Sequence, residues 1–256
     1  MRSFIRQILT QSLAQPLAKA LAVGALTTGL AGAVVAMPAF APTDEQVASK
    51  LANVPVFVIG NNDGLVLISN GQAEGQLAQP SLYVFMTEQD AKTFLARANE
   101  ANPQFAPEAQ VGLTSLENLY QEAESQSGDR PLQLVYVPEE AEATQAAALN
   151  VGYQGGVPLF FARFADGSLA PVQQENGEAI FPLFFSRADL DALLSDLATR
   201  NPEARAAISV GVLPLEAMLA ELKNSDDAAL NQIRLLPDSA TISAIQQSTP
   251  QAAPTP

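Results

Sequence analysis

The chain contains no cysteine, no histidine and no tryptophan. Without cysteine there can be no disulfide, thiol nucleophile, iron–sulfur cluster or thiolate zinc site. Without histidine there is no imidazole base, no Ser-His-Asp triad and no haem held by histidine. Positive charge is also scarce: 13 basic residues face 27 acidic ones across 256 positions, a formal net charge of −14. That balance argues against nucleic acid and anionic membrane surfaces as partners, because phosphates would be repelled. No spaced acidic calcium loop and no glycine-rich phosphate loop occurs. Apolar side chains, by contrast, make up 48% of the residues, enough for a sizeable core.

Carboxylates are the acid/base groups that remain. The closest pairs are Glu139-Glu140, Asp189-x-Asp191 and Asp226-Asp227. Each has a structural explanation: a helix's first turn, a cap and a polar loop. A glycosidase-like pair of working acids is therefore not expected, although acids are numerous. Gly156-Val157-Pro158 resembles the proline turn of thioredoxin-like folds, but without cysteine it implies a scaffold at most. The expectation is a protein that is not an enzyme, with no catalytic residue, no metal and no cofactor.

Residues 1–36 carry Arg2, Arg6 and Lys19 and no acid, and the apolar small-residue run Ala20 to Ala36 follows. This is the pattern of a secretory signal peptide, with Val34 and Ala36 at the −3 and −1 positions of a cleavage site. Its removal takes three basic residues and leaves a net charge of −17. An exported, strongly acidic protein of the periplasm is expected (the thylakoid lumen is the alternative), soluble and without stable membrane insertion after processing.

The chain also repeats itself. Val54-Pro55-Val56-Phe57 with Asp63-Gly64 returns 103 residues later as Val157-Pro158-Leu159-Phe160 with Asp166-Gly167. Beyond the hairpin the shift becomes 99: Thr87-Glu88-Gln89-Asp90 matches Ser186-Arg187-Ala188-Asp189, and Asn102-Pro103 matches Asn201-Pro202. Further matches are Val111-Gly112-Leu113 with Val210-Gly211-Val212, and Pro138 with Pro237. Each copy reads as β-β-β-α-β-α-β-α, with hairpin turns at the Asp-Gly pairs and N-caps at Thr87 and Ser186. The expected fold class is α/β: two tandem pseudo-twofold-related repeats in one two-lobed body, with central sheets and flanking helices. The expected division is 1–36 signal peptide, 37–51 linker, 52–150 first repeat, 151–246 second repeat and 247–256 disordered tail.

The order Val-Pro-Val-Phe, Asp-Gly, Thr-x-x-Asp, Asn-Pro, a short valine-rich strand and Leu134-Val135-Tyr136-Val137-Pro138 resembles the Tic twenty-two family. Gly156-Val157-Pro158-Leu159-Phe160 and Asn231-Gln232-Ile233-Arg234-Leu235-Leu236-Pro237 resemble its second half. The family is the intermembrane-space component of the chloroplast protein import apparatus, with cyanobacterial relatives. The resemblance covers about residues 50–240 and, with the bacterial-type leader, implies a cyanobacterial member. It further implies a chaperone-like carrier of unfolded or precursor proteins, including outer-membrane barrel proteins and their assembly machinery, with no catalytic residue or cofactor.

The third strand of each copy is the candidate client surface. By alternation Leu82, Val84 and Met86 share one face, and Phe181, Leu183 and Phe185 share its counterpart. Such a face either joins the core or stays open as an apolar groove, and an exposed apolar patch on a charged body suits unfolded chains. A flexible Met86 would adapt to varied clients. The alternative is a non-catalytic periplasmic binder of a small apolar ligand or lipid, which a closed pocket within one copy would favour.

Overall fold

The computed structural model describes residues 44–69, 79–105, 107–126, 131–225 and 227–248. The leader at 1–36 and most of the tail at 247–256 lie outside the described residues. The first sheet uses β1 (Pro55–Asn61), β2 (Gly64–Leu65), β3 (Ile68–Ser69), β4 (Pro80–Phe85), β5 (Gln110–Ser115) and β6 (Gln133–Val137). The second uses β7 (Pro158–Phe164), β8 (Val172–Gln173), β9 (Ala179–Phe184), β10 (Ile208–Pro214) and β11 (Ile233–Leu236). Eight α-helices and one 3-10 turn (Ala228–Gln232) complete the described elements: α1 (Asp44–Leu51), α2 (Glu88–Ala101), α3 (Leu116–Ser125), α4 (Glu140–Leu149), α5 (Arg187–Arg200), α6 (Pro202–Ala206), α7 (Leu215–Asn224) and α8 (Ser239–Ser248).

The two sheets are wired alike. β1 lies between β5 and β4, and parallel β6 flanks β4; β7 lies between β10 and β9, with parallel β11 beside β9. Phe57 opposes Phe85 and Leu113, while Phe160 opposes Phe184 and Val212. Leu82 pairs with Leu134, and Phe181 with Ile233. The hairpin glycines do what the Asp-Gly pairs predict, since Gly64 and Gly167 take φ of 127° and 87°.

Alternation divides each sheet into an inner and an outer face. The inner sets Val54, Val56, Val58, Leu82, Val84 and Val157, Leu159, Phe161, Phe181, Leu183 join one buried cluster with α1, α3 and α7. Phe57, Ile59 and Phe85 face outward beneath α2, and Phe160 and Phe184 face outward beneath α5. Each fully buried Leu or Phe contributes about 1.5–3 kcal/mol of transfer free energy, so the shared inner cluster is the main source of stability.

Three features depart from the sequence reading. The segment read as a linker ends in α1, whose Val47, Ala48 and Leu51 are at most 1% exposed. Acids in its first turn and Lys50 in its last suit the helix dipole, and its apolar face packs on both α3 and α7. Second, Thr87 caps α2 by accepting from the Asp90 N–H at 3.1 Å, but Ser186 makes no such cap. Glu142 of α4 instead accepts from the Arg187 N–H at 3.1 Å. Third, α4 and α8 cross over. α4 follows β6 of the first sheet yet buries Ala146 against Phe160, Phe184 and Val212 of the second. α8 follows β11 of the second sheet and lays Ile245 on the Phe57–Phe85 cluster of the first.

Candidate client-binding surface

Five of the six candidate client-binding residues are core. Leu82 is 1% exposed, Val84 0%, Phe181 6%, Leu183 1% and Phe185 6%; Met86 is half-buried and packs on the same cluster. The expected open groove at these positions is therefore corrected. The face that alternation defines is right, but α1, α3, α7 and the facing sheet cover it. A small cleft of about 20 Å³ remains beside them, room for about one water molecule.

That cleft is lined in matched pairs: Val54 and Val157, Pro55 and Pro158, Met86 and Phe185, Glu139 and Asp238, Glu142 and Thr241. Its carboxylates are crowded. Burial first, then Asp238 and Asp90, raise the pKa of Glu139. Burial also raises Glu142, and Glu139 and Asp238 add to the effect, although the Arg187 N–H and the Ser186 hydroxyl oppose it. Burial raises Glu216 nearby, against the Val157 N–H it accepts at 3.3 Å.

Carboxyls raised on folding stabilise the fold fully below the ordinary value of 4.5 and lose that contribution as pH rises through their folded values. The folded state binds more protons across that window, so stability should fall with rising pH. Lys50, desolvated and beside Arg234, is lowered to about 8, so its cost to the fold is constant well below that pH and is relieved only as pH rises through it. The urea midpoint should accordingly be higher at pH 5 than at pH 7.5, and Glu139→Gln should flatten the difference. A midpoint that rises between pH 5 and pH 7.5 would contradict the crowding.

Two larger concavities lie elsewhere. One of about 250 Å³ opens on the outer side of the second sheet, lined by Ala162, Ala170, Leu193, Leu194, Leu197 and Ile208. In the first sheet the corresponding space is filled by Phe94, stacked 5.3 Å from Tyr83 and tilted against Phe85 at 5.3 Å. Position 193 carries Leu where position 94 carries Phe, and position 182 carries Pro where position 83 carries Tyr. The other, about 620 Å³ and open to solvent, follows β5 between the β1–β2 hairpin and α3. There Val58 stands where the second sheet has Phe161, whose ring lies over Gly211 in contact with the space a Cβ would need. Over Gly112 the nearest such atom is Val58 Cγ2 at 3.9 Å, an ordinary contact distance, so a Cβ would fit there without displacing anything. Comparing positions matched at the shifts of 103 and 99 for aromatic residues replaced by smaller ones is the sequence signal that locates both concavities.

No group of three or more metal-ligating side chains occurs among the described residues, and no described helix is long and apolar enough to cross a membrane. No curated protein sequence matches the chain. The fold is similar to that of Anabaena Tic22, described as a protein-transport protein, with TM-score 0.68 and 23% identity over 83% of this chain and 100% of that one. It is also similar to Tic22 from Plasmodium falciparum, with TM-score 0.60 and 15% identity over 78% of this chain and 96% of that one. A family model described as the Tic22-like family matches residues 6–248, in agreement with the motif order, and the chain belongs to that family.

Proposed function

We propose that this protein is an exported, chaperone-like carrier that holds unfolded precursors during protein transport, outer-membrane barrel proteins among them. The supporting observation is the whole-length family match together with a fold shared with a protein-transport protein. The tandem-repeat reading belongs with it: equal strand order, equal registers at the shifts of 103 and 99, and the reciprocal crossing of α4 and α8 support one duplicated unit. Clients bind outside the central core, where apolar residues meet solvent. The 250 Å³ depression under α5 is the candidate contact, with Leu193 and Leu197 half-exposed at its rim. The acidic remainder keeps a loaded carrier soluble and favours basic segments.

A small-ligand binder is the second reading, and the apolar lining of the same depression favours it. Its volume is below the ~300–1,000 Å³ usual for ligand sites, which favours a contact patch over a closed pocket. Aggregation suppression of an unfolded barrel protein decides the matter. The parent should keep the client in solution, and folded Leu197→Glu should do so less well. A parent that leaves aggregation unchanged would end the carrier reading.

A further inference from the structure

We infer that the free edge of β5 binds an extended, basic client segment by strand addition; this deepens the carrier reading and rests on it. Among the described residues β5 pairs only with β1. The Leu116 N–H donates to the Val54 carbonyl at 2.8 Å, which fixes the parity of the ladder. Residues 110, 112 and 114 therefore exchange hydrogen bonds with β1, and the N–H and C=O groups of Val111 and Leu113 point away from it. Edges of this kind are normally blunted by charge, proline or a cover. The segment from Ala109 to Ser115 has neither charge nor proline, and Leu113 is 51% exposed.

The other sheet shows what a protected edge looks like. On β10 the Arg205 guanidinium donates to the Ile208 carbonyl at 3.0 Å, Val212 is 7% exposed and the strand ends at Pro214. Phe161 covers Gly211, whereas the recess beside Gly112 is open. The entry to β5 is held in an uncommon conformation. Glu108, at φ 60°, is the one non-glycine residue with positive φ among those described, and its carboxylate accepts from Asn62 Nδ2 at 3.0 Å. That bond ties the start of β5 to the hairpin tip and forms one wall of the recess. A strained residue held by its surroundings at such a rim is a common mark of a working site.

Charge selects the occupant. Glu108 and Glu122 line the recess on a chain of net charge −14. A second copy paired along β5 would set these acids and two acidic bodies against each other. An extended segment with alternating apolar and Lys or Arg residues would instead fill the recess, extend the ladder and neutralise both acids.

The test uses a labelled peptide alternating valine and lysine, and the same peptide N-methylated at alternate amides. The parent should bind the first, with slowed hydrogen exchange at the Val111 and Leu113 amides. N-methylation should weaken binding about tenfold, the worth of roughly one backbone hydrogen bond. Leu113→Pro removes an N–H that pairs with no described residue and should weaken binding by a similar factor. Val58→Phe, which copies the filled arrangement at Phe161, should do the same. If Leu113→Pro does not fold, Leu113→Lys replaces it and should repel the basic peptide. Equal binding by these variants, or by the N-methylated peptide, overturns the inference. So does protection of Val111 and Leu113 that grows with protein concentration in the absence of peptide, because a second copy then fills the edge. If the parent suppresses barrel-protein aggregation and the edge variants do so equally, the carrier reading stands and the edge assignment alone fails.

Discussion

Replacing Phe185 by glutamate should unfold the chain and not merely weaken client binding. Phe185 is 6% exposed inside the cluster that both sheets share. Truncating a core phenylalanine costs about 3–5 kcal/mol, and glutamate adds the burial of a charge. The local field makes this worse, since Glu139, Glu142 and Asp238 line the cleft that Phe185 closes. The sum approaches the whole stability of an ordinary domain, about 5–15 kcal/mol. Phe185→Leu, which keeps the site apolar, should remain folded with a lower urea midpoint. Met86→Glu should be milder, because Met86 is half-buried and its charge can reach the cleft mouth. Circular dichroism and urea titration separate the outcomes. A Phe185→Glu protein that keeps the parent midpoint yet fails to hold clients would mean the side chain is a surface contact and that its place in the core is wrong.

Much of the architecture is legible in the sequence because matched motifs recur at constant shifts. β1 and β7 share their bounds at a shift of 103; β4 and β9, α2 and α5, and α3 and α7 share theirs at 99. Period-two alternation also separates the two faces of the third strands correctly, without saying which of them is inward: Leu82 and Val84 face the central cluster, Phe85 the outer one. What alternation cannot say is what covers a face. Two apolar faces on one strand require two covering layers, and the inner layer is built from remote parts of the chain. α3, α7 and the short α1 meet there across more than a hundred residues of sequence. Local pattern carries no record of that meeting, so the inner face reads equally as core or as groove.

The crossing of α4 and α8 was hidden for the same reason. Pro138 and Pro237 mark where each helix starts, but the packing partner depends on where the chain travels after β6 and β11. The cap at Ser186 illustrates the consequence. Its sequence context is that of Thr87, with an acid three residues on, yet Glu142 arrives from α4 and takes the Arg187 N–H. Ser186 then turns its hydroxyl to that carboxylate. The candidate concavities were legible in principle, because they sit where Val58 replaces the Phe161 type and Leu193 the Phe94 type. An internal comparison that seeks differences, not matches, would have found them.

The same logic gives α1 an importance its eight residues conceal. Leu51→Ala should destabilise the protein by about 2–5 kcal/mol, the usual range for emptying a core leucine site. Leu51 is 0% exposed, and the helix that carries it packs on α3, which follows β5, and on α7, which follows β10. It thus touches a helix of each sheet, and the cavity it leaves cannot be closed by moving one of them alone. Lys50 adds to the tie by donating to the Asn231 and Ile233 carbonyls at 3.2 and 3.3 Å. Glu45→Ala, on the exposed side of the same helix, should change stability by no more than about 0.5 kcal/mol. The parent should unfold in one transition, seen alike by far-ultraviolet circular dichroism and tyrosine fluorescence, because the two sheets share one cluster. If Leu51→Ala costs no more than Glu45→Ala, α1 is an appendage and the two sheets are held together without it. A large loss accompanied by separate transitions for the two probes would show that α1 couples the halves as well as filling space between them.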